Sequence, residues 1–287
     1  MKSPKVSFEL FPPATESGRG TLGKTVERLK GFDPAYYSIT YGAGGSGQQK
    51  SRDLLKQLSE DKDLTLAGHI TMAGASRQDI LETVTSWKEL GVKKLVALRG
   101  DSEDPGTPFK SHPDGFTDSV EFIASLHELG DFDIAVAAYP DPHPDSFSLK
   151  ADLEFLKRKQ DAGATTAITQ FFFEADCYFR FVAAARKAGI TIPIVPGILP
   201  INSIGQLQRF ADRCGATIPG WVTKAFEGLD DNPETSAAVS VSLCLDLCRD
   251  LMEGGVDAFH FYTLNRSPLT EAVCRLLALQ TEEKEAA

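Results

Sequence analysis

One carboxylate lies within an apolar run near the start of the chain. Glu9 stands between Phe8 and Leu10. Burying an unpaired carboxylate is costly, and apolar surroundings raise its pKa toward the range of a general acid. We predict that Glu9 donates a proton in catalysis. The alternative is a structural carboxylate paired with a Lys or an Arg.

The segment Arg99-Gly100-Asp101 combines a cation, a glycine and a carboxylate. Glycine lets the backbone approach a ligand closely, and a carboxylate accepts hydrogen bonds from a flat nitrogen heterocycle. This pattern predicts a heterocycle-binding site. The alternative is a surface loop, where such short polar runs also occur.

The remaining polar motifs do not predict a metal or a nucleotide-phosphate loop. The glycine-rich residues 41–47 lack the Walker lysine spacing and the full dinucleotide fingerprint, so we expect a flexible loop. His69, His143 and His260 form no His-x-His or HExxH pair, and we predict no metal. The five cysteines contain no CxxC pair, which favours reduced thiols over disulfides.

The candidate residues named above lie in or near eight short runs of β-branched or aromatic residues. Each run is followed by a segment with helical apolar spacing. The predicted strands are residues 6–11, 36–40, 65–71, 93–100, 133–140, 166–172, 194–200 and 257–265. Predicted helices include residues 77–90, 118–129, 149–161 and 177–188, several closed by glycines that suit helix C-caps. The alternation predicts an α/β fold, a (β/α)8 TIM barrel, with an additional helical stretch at 233–254 before the last strand.

Polar residues gather where the predicted strands end, which is where chemistry occurs in such barrels. They include Glu9, Tyr41, His69, Thr71, Asp101, Tyr139, Gln170 and Arg266. No low-complexity linker divides the chain, so we predict one catalytic domain over residues 1–287, with a frayed tail at 281–287.

Composition limits the class of partner. The net charge of -10 argues against a general nucleic-acid binder, because neutralising phosphates requires a positive surface. There is no secretory h-region and no run of 18 apolar residues. We therefore expect no membrane association and a cytoplasmic location.

Seven motifs in order along the chain resemble the methylenetetrahydrofolate reductase family, and the resemblance covers residues 6–279. They are Phe8-Glu9-Leu10-Phe11-Pro12-Pro13, Thr40-Tyr41-Gly42-Ala43, Ala97-Leu98-Arg99-Gly100-Asp101, Ala138-Tyr139-Pro140 with His143-Pro144, Ile168-Thr169-Gln170-Phe171-Phe172-Phe173, Pro196-Gly197-Ile198-Leu199-Pro200 and His260-Phe261-Tyr262-Thr263-Leu264-Asn265-Arg266.

The resemblance implies a bacterial-type enzyme consisting of the catalytic barrel only. It would hold FAD non-covalently and take hydride from NADH or NADPH. It would interconvert 5,10-methylenetetrahydrofolate and 5-methyltetrahydrofolate, with the two substrates using one flavin face in turn. The family also implies a role in methionine biosynthesis and a homo-oligomer. The choice between NADH and NADPH and the physiological direction stay open.

The resemblance also implies roles for individual residues. Glu9 would be the general acid, and Asp101 would bind the pterin and influence the flavin; both roles favour buried carboxylates. The further substrate-binding residues would be Gln170, Gln206, Phe210 and Arg266. The implied FAD-binding residues are Thr40, Tyr41, Ala43, His69, Arg99, Gly100, Asp101, Tyr139, His143, Ser146, Asp152, Arg158 and Lys159. The chain departs from its relatives at Phe155, where they carry a polar residue, and in the loop 102–115.

Two other interpretations are open at this point. A different flavin-dependent TIM-barrel dehydrogenase, similar to proline dehydrogenase, would share the flavin contacts but not the folate contacts. A barrel that has lost catalysis would serve as a binding protein, although Glu9, Asp101 and Gln170 are all present.

Overall fold

A computed structural model describes residues 3–41, 46–101, 107, 109–141 and 145–286. Within these ranges, the side chains of residues 46, 47 and 279–286 are not described. The statements below refer to this part of the chain.

A parallel sheet forms the centre of the molecule. Its strands are β1 (Lys5–Leu10), β2 (Tyr36–Ile39), β3 (Leu66–Thr71), β4 (Lys94–Leu98), β5 (Asp133–Ala138), β6 (Thr166–Thr169), β7 (Ile194–Val195), β8 (Gly197–Ile198) and β9 (Ala258–Tyr262). The order is β7-β6-β5-β4-β3-β2-β1-β9-β8, and every pairing is parallel. Because β7 and β8 are adjacent in sequence, the sheet curls into a nearly closed barrel, as predicted.

The predicted strand at 194–200 is wrong in one respect, because it is two short strands separated by Pro196. Proline has no backbone N–H to donate to a ladder, so regular pairing stops there. The Pro196 carbonyl still accepts a hydrogen bond from the His260 amide at 3.0 Å. The pairing therefore passes from β6 to β9 through this segment.

Helices surround the barrel. They are α1 (Glu16–Lys30), α2 (Ser46–Leu58), α3 (Arg77–Glu89), α4 (Ser119–Glu128), α5 (Leu149–Asp161), α6 (Ala175–Lys187), α7 (Ile204–Cys214), α8 (Gly220–Ala225), α9 (Pro233–Glu253) and α10 (Ser267–Ala286). The additional helical stretch is confirmed as α9, whereas the short helix α8 was not predicted. Gly91 and Gly189, which follow α3 and α6, have φ of 87° and 80°, as expected for helix ends.

Alternation along β1 decides which side chains enter the barrel. Phe8 and Leu10 are fully buried in the apolar layer between the strands and the helices. Ser7 and Glu9 point to the opposite side, because successive strand residues face opposite ways. Deeper in the interior, Ala67, Val96, Ala135 and Ile168 from β3 to β6 pack as one apolar layer. Glu9 therefore lies above a closed apolar floor.

None of the described helices is both long enough and apolar enough to cross a membrane.

Candidate active site

Glu9 lines a cavity of about 410 Å³ at the carboxyl ends of the strands. Its side chain is 22% exposed, so it is accessible from the cavity rather than sealed in the core. The other lining residues are His69, Val96, Leu98, Ala137, Tyr139, Ile168, Gln170, Phe171, Leu199, Phe210, Arg213, Cys214, His260, Tyr262 and Leu264. Most of these side chains are apolar or aromatic, which suits a flat ring system.

Two histidines are the neighbours of the Glu9 carboxylate. Its Oε2 lies 3.6 Å from Nε2 of His69 and 4.0 Å from Nε2 of His260. In the described part of the chain, no Lys or Arg forms an ion pair with Glu9, so the structural pairing that the sequence left open is not found there.

The surroundings of the two histidines differ. Burial lowers the pKa of His69 to about 4, against the opposing effect of Glu9, so this ring is neutral near pH 7. Its buried Nε2 makes no hydrogen bond with another described residue. His260 is held through Nδ1, which lies 2.8 Å from Oγ of Ser7. The strand register places Ser7 beside His260 and Glu9 beside Tyr262.

Two phenols line the same cavity, and both stay protonated at neutral pH. Burial raises the pKa of Tyr139 to about 12 and raises that of Tyr262 well above its usual value. The Tyr262 hydroxyl donates to the Thr169 carbonyl at 2.7 Å. These groups supply fixed polar atoms without adding charge beside Glu9.

Gln170 lies just beyond β6 with its amide oriented by the backbone. The Phe171 N–H donates to Gln170 Oε1 at 3.0 Å, which fixes the carbonyl end of the amide. The NH2 end forms no hydrogen bond with another described residue and is available as a donor in the cavity. Phe210 of α7 adds an apolar wall to the same cavity.

A second cleft, of about 770 Å³, adjoins this cavity, and Leu98, Ala137 and Tyr139 line both. The predicted FAD-binding residues that line the cleft are Tyr41, Arg99, Gly100, Asp101, Tyr139, Ser146, Asp152, Arg158 and Lys159. The strand ends therefore bring Glu9 and Asp101 to the same mouth of the barrel. Asp101 itself is exposed, not buried as expected, because β4 ends at Leu98 and Asp101 lies in the loop beyond it.

The floor of the second cleft is shaped by small residues. Gly100 has φ of 85°, and a Cβ there would lie 2.6 Å from the Cβ of Ala73, so the position requires glycine. Oγ1 of Thr71 is buried and unpaired among the described residues, and Thr71 lines the cleft. A buried unpaired hydroxyl beside open space favours a polar ligand.

Cations stand along one side of the second cleft. Arg99 forms an ion pair with Asp145 at 2.8 Å, and the exposed Arg158 lies 3.2 Å from Asp118. Burial lowers the pKa of Lys159 to about 8, although Asp152 opposes the shift. A partly desolvated cation such as Lys159 attracts phosphate or carboxylate groups strongly.

Phe155, where the sequence departs from the resemblance, lies beside two of these cations. The ring of Phe155 is 4.8 Å from Nζ of Lys159 and 5.6 Å from the guanidinium of Arg158. These distances allow cation–π contact with both side chains. The Phe155 ring therefore packs against Arg158 and Lys159 and forms part of the cleft wall.

Other predicted site residues lie apart from these two cavities or outside the described residues. Arg266 is exposed in a separate cleft beside α1. The half-buried Gln206 lies in the first turn of α7, and Thr40 follows β2; neither lines the cavity or the cleft. Ala43 and His143 lie outside the described residues.

Sequence reasoning assigned no catalytic role to His260 or Tyr262, which also face Glu9. Their alternation with Phe259 and Phe261 in β9 was the available signal, because every second residue of a barrel strand faces inward. His260 is buried and its Nδ1 is paired with Oγ of Ser7.

The sequence is similar to that of known proteins along nearly the whole chain. The family model described as methylenetetrahydrofolate reductase matches residues 1–278. The 5,10-methylenetetrahydrofolate reductase of Pectobacterium carotovorum subsp. carotovorum is 42% identical over 277 residues, which are 96% of this chain and 91% of that protein. A probable methylenetetrahydrofolate reductase (NADH) of Oryza sativa subsp. japonica is 33% identical over 97% of this chain and 49% of its own length.

Solved structures support the fold. A Clostridium thermocellum protein that binds two copies of 5-methyl-5,6,7,8-tetrahydrofolic acid has a TM-score of 0.64 and 17% sequence identity. The match covers 98% of this chain and 96% of that chain. At this identity the similarity shows a shared architecture only.

Proposed function

The chain belongs to the methylenetetrahydrofolate reductase family and is a folate-interconverting reductase, and we propose that it catalyses folate interconversion with bound FAD and a reduced nicotinamide. The net reaction takes one hydride and one proton to convert 5,10-methylenetetrahydrofolate to 5-methyltetrahydrofolate, and the nicotinamide is oxidised. The observation that carries the proposal is the position of Glu9, in an apolar cavity that opens into a cation-lined cleft.

The second cleft fits FAD in three respects. The unpaired hydroxyl of Thr71 offers a hydrogen-bonding group, and glycine at position 100 lets the backbone that lines the cleft pack closely against Ala73. Arg99, Arg158 and Lys159 would hold the pyrophosphate. When bound, FAD would accept hydride from the nicotinamide and deliver it to the folate.

Glu9 would supply the proton that opens the methylene bridge. Breaking the bond between the methylene carbon and N10 leaves an iminium at N5, and N10 must be protonated as it leaves. Glu9 is the one carboxyl group among the described residues that line the cavity, and the neutral His69 at 3.6 Å does not hold it as a fixed ion pair. Proton transfer from a positioned side chain typically contributes about 10²- to 10⁴-fold.

The remaining cavity residues would orient the substrates. The NH2 group of Gln170 can donate to a ring carbonyl, and Phe210 offers an aromatic face for stacking. Asp101, which lines the second cleft, would accept hydrogen bonds from the pterin and become covered when the substrate binds. Because one cavity serves both rings, the nicotinamide and the folate would bind in turn.

A stopped-flow experiment with the two half-reactions tests the proposal. The purified protein supplied with FAD should be yellow, lose its flavin absorbance with NADH or NADPH, and recover it with 5,10-methylenetetrahydrofolate. Bleaching without recovery would point to a different flavin-dependent barrel dehydrogenase. Failure to bind FAD would contradict the proposed cofactor.

Location and assembly are part of the same proposal. All five cysteines are free, with Cys244, Cys248 and Cys274 buried, which supports a reducing, cytoplasmic location. A homo-oligomer, which the family resemblance implies, is tested by light scattering on the purified protein.

A further inference from the structure

A layer of polar side chains lies inside the barrel directly beneath Glu9. The strand register places Ser7 of β1 between Tyr36 of β2 and His260 of β9. Glu9 is two residues further along β1, so its side chain faces the same way, one layer nearer the mouth of the barrel. Ser7 and His260 are only 3% and 1% exposed. Because polar groups at this depth are cut off from water, their hydrogen bonds must be made within the layer.

The Ser7 hydroxyl has two partners on β9. Its Oγ lies 2.8 Å from Nδ1 of His260 and 3.3 Å from the carbonyl oxygen of Phe259. A hydroxyl group carries a single proton, and a carbonyl oxygen can only accept, whereas Nδ1 donates or accepts according to the tautomer of the ring. When Ser7 donates to Phe259, the contact with His260 is a hydrogen bond only if Nδ1 carries the imidazole proton.

Tyr36 favours the same tautomer from the other side of Ser7. Burial raises the pKa of Tyr36, against the effect of a side-chain hydrogen bond with Ser7, so the phenol keeps its proton at pH 7. Its ring stacks on that of His260, with the centroids 5.8 Å apart. Oγ of Ser7 can then accept from Tyr36 and from Nδ1 and donate to Phe259, which satisfies all four groups. With the proton on Nε2 instead, Ser7 would donate to Nδ1 and the Phe259 carbonyl would lose this donor.

The tautomer decides what His260 presents to Glu9. Nε2 of His260 lies 4.0 Å from Oε2 of Glu9. With the proton on Nδ1, Nε2 carries a lone pair, which accepts a hydrogen bond from a protonated carboxyl group and offers nothing to a carboxylate. With the proton on Nε2, the ring would donate to the carboxylate and favour its ionised form.

We propose that Ser7 is a positioning residue, which holds the His260 proton on Nδ1 so that the Nε2 lone pair keeps the Glu9 carboxyl group protonated. The inference rests on the proposed function, in which Glu9 is the acid that protonates N10 of the folate. Ser7 does not line the Glu9 cavity and acts through His260, which does. The proton that Glu9 donates is therefore retained until the folate binds.

The other ionisable groups around Glu9 and His260 keep one charge state between pH 5 and 8. In the described part of the chain they are His69 on β3, Tyr36 on β2, Tyr139 after β5, Arg213 and Cys214 on α7, Tyr262 on β9, and Lys5 with the ion pair of Lys94 and Asp133 at the bottom of the barrel. Burial lowers the pKa of His69 to about 4 and raises the pKa of each phenol and of the thiol. Lysine and arginine side chains are charged throughout this range. A pH effect of changing Ser7 is therefore assigned to Glu9 and His260.

The tautomer of His260 can be read from protein labelled with ¹⁵N-histidine. Long-range proton–nitrogen correlation spectra distinguish the two ring nitrogens, and the spectrum of His260→Gln identifies the His260 signals among the five histidines. We expect Nδ1 to carry the proton in the FAD-loaded native protein at pH 7. A proton on Nε2, or on both nitrogens, would overturn the inference whatever the protein does with folate.

The pH profile of the folate half-reaction tests the consequence for Glu9. Ser7→Ala leaves Nδ1 without an acceptor, so the proton moves to Nε2 and the ring donates to the Glu9 carboxylate. The upper limb of the profile should then move by about one unit to lower pH, the effect of one hydrogen bond to a charged group. Ser7→Thr keeps the hydroxyl and should keep the native profile. Ser240→Ala removes another buried serine hydroxyl, on α9, and is the matched control that should also keep it.

The outcomes separate positioning from a structural role and from the proposed function. An equal loss of rate at every pH in Ser7→Ala would show a structural role, and an unshifted profile would show that His260 does not act on Glu9. Either result would overturn this inference alone, as would a shifted profile in Ser7→Thr. If Ser7→Ala does not fold, the spectrum of the native protein decides. Absence of the folate half-reaction in the native protein would overturn the proposed function as well.

Discussion

Replacing Glu9 by Gln tests the assignment of the proton donor. The amide keeps the size and polarity of the side chain but cannot protonate N10 of the folate. We expect FAD binding and the nicotinamide half-reaction to be unchanged, because neither requires this proton. The folate half-reaction should slow by about 10²-fold or more, as expected for a lost general acid.

The structure also limits the rate that His69 could sustain if it replaced Glu9 as the proton donor. His69 Nε2 lies 3.6 Å from the carboxylate, and burial lowers the His69 pKa to about 4. At pH 7, three pH units higher, only about one ring in a thousand is protonated. Glu9→Gln also removes the Glu9 charge that raises the His69 pKa, so rescue by His69 would leave at most ~10⁻³ of the rate, a barrier increase of at least about 4 kcal/mol. Such residual activity would rise about tenfold for each unit of lower pH between 7 and 5.

Anaerobic stopped-flow spectroscopy of the flavin absorbance measures the two half-reactions separately. Glu16→Gln, on the exposed first turn of α1, is the matched control and should leave both rates unchanged. An equal loss in both half-reactions would show that Glu9 maintains the structure of the cavity. An unchanged folate half-reaction would show that another group donates the proton.

Three further substitutions test the second cleft and the core. Gly100→Ala should reduce the FAD content of the purified protein, measured from its visible absorbance, because the new Cβ would lie 2.6 Å from a side-chain carbon at φ of 85°. FAD affinity, measured by flavin fluorescence, should fall about tenfold between pH 7 and 9, because Lys159 loses its charge above its pKa of about 8; Lys159→Met should remove this dependence. Gly68→Ala should lower the Tm by a few degrees, because its Cβ would lie 2.4 Å from the Trp87 ring.

Gly23→Ala is the matched control for both glycine substitutions. Gly23 lies within α1, and a Cβ there meets nothing within 4 Å. Alanine should stabilise the helix by about 1 kcal/mol at most. A Tm for Gly68→Ala equal to that of this control would contradict the steric argument. Full FAD content in Gly100→Ala, or a pH dependence that persists in Lys159→Met, would contradict the cleft assignments.

The fold could be predicted from periodicity because each βα unit carries its own signal. The run around Phe8 and the following α1 each bury one apolar side, so local patterning specified both. The division of one predicted strand at Pro196 was accessible in principle, since proline cannot donate to a ladder. The short helix α8 was missed because its six residues show too little periodicity to be distinguished from a loop.

The candidate site was predicted in its residue types and in its place at the strand ends, but not in its division into two cavities. Motifs after several strands indicated Glu9, Gln170 and Asp101, and the structure places them around two adjoining cavities. Arg266 was predicted beside them but lies in a separate cleft, because the chain turns outward after Leu264 and Asn265, both with positive φ.

The sequence by itself determined the order of strands and helices, the inward side of each strand and the family, because all three depend on local spacing and on motifs in order. Only the tertiary structure decided that two histidines, not a Lys or Arg, stand beside Glu9. It also decided that Asp101 is exposed and that cations of α1 meet Arg266 in one cleft. Distances between residues far apart in sequence depend on barrel closure, and no local pattern encodes them.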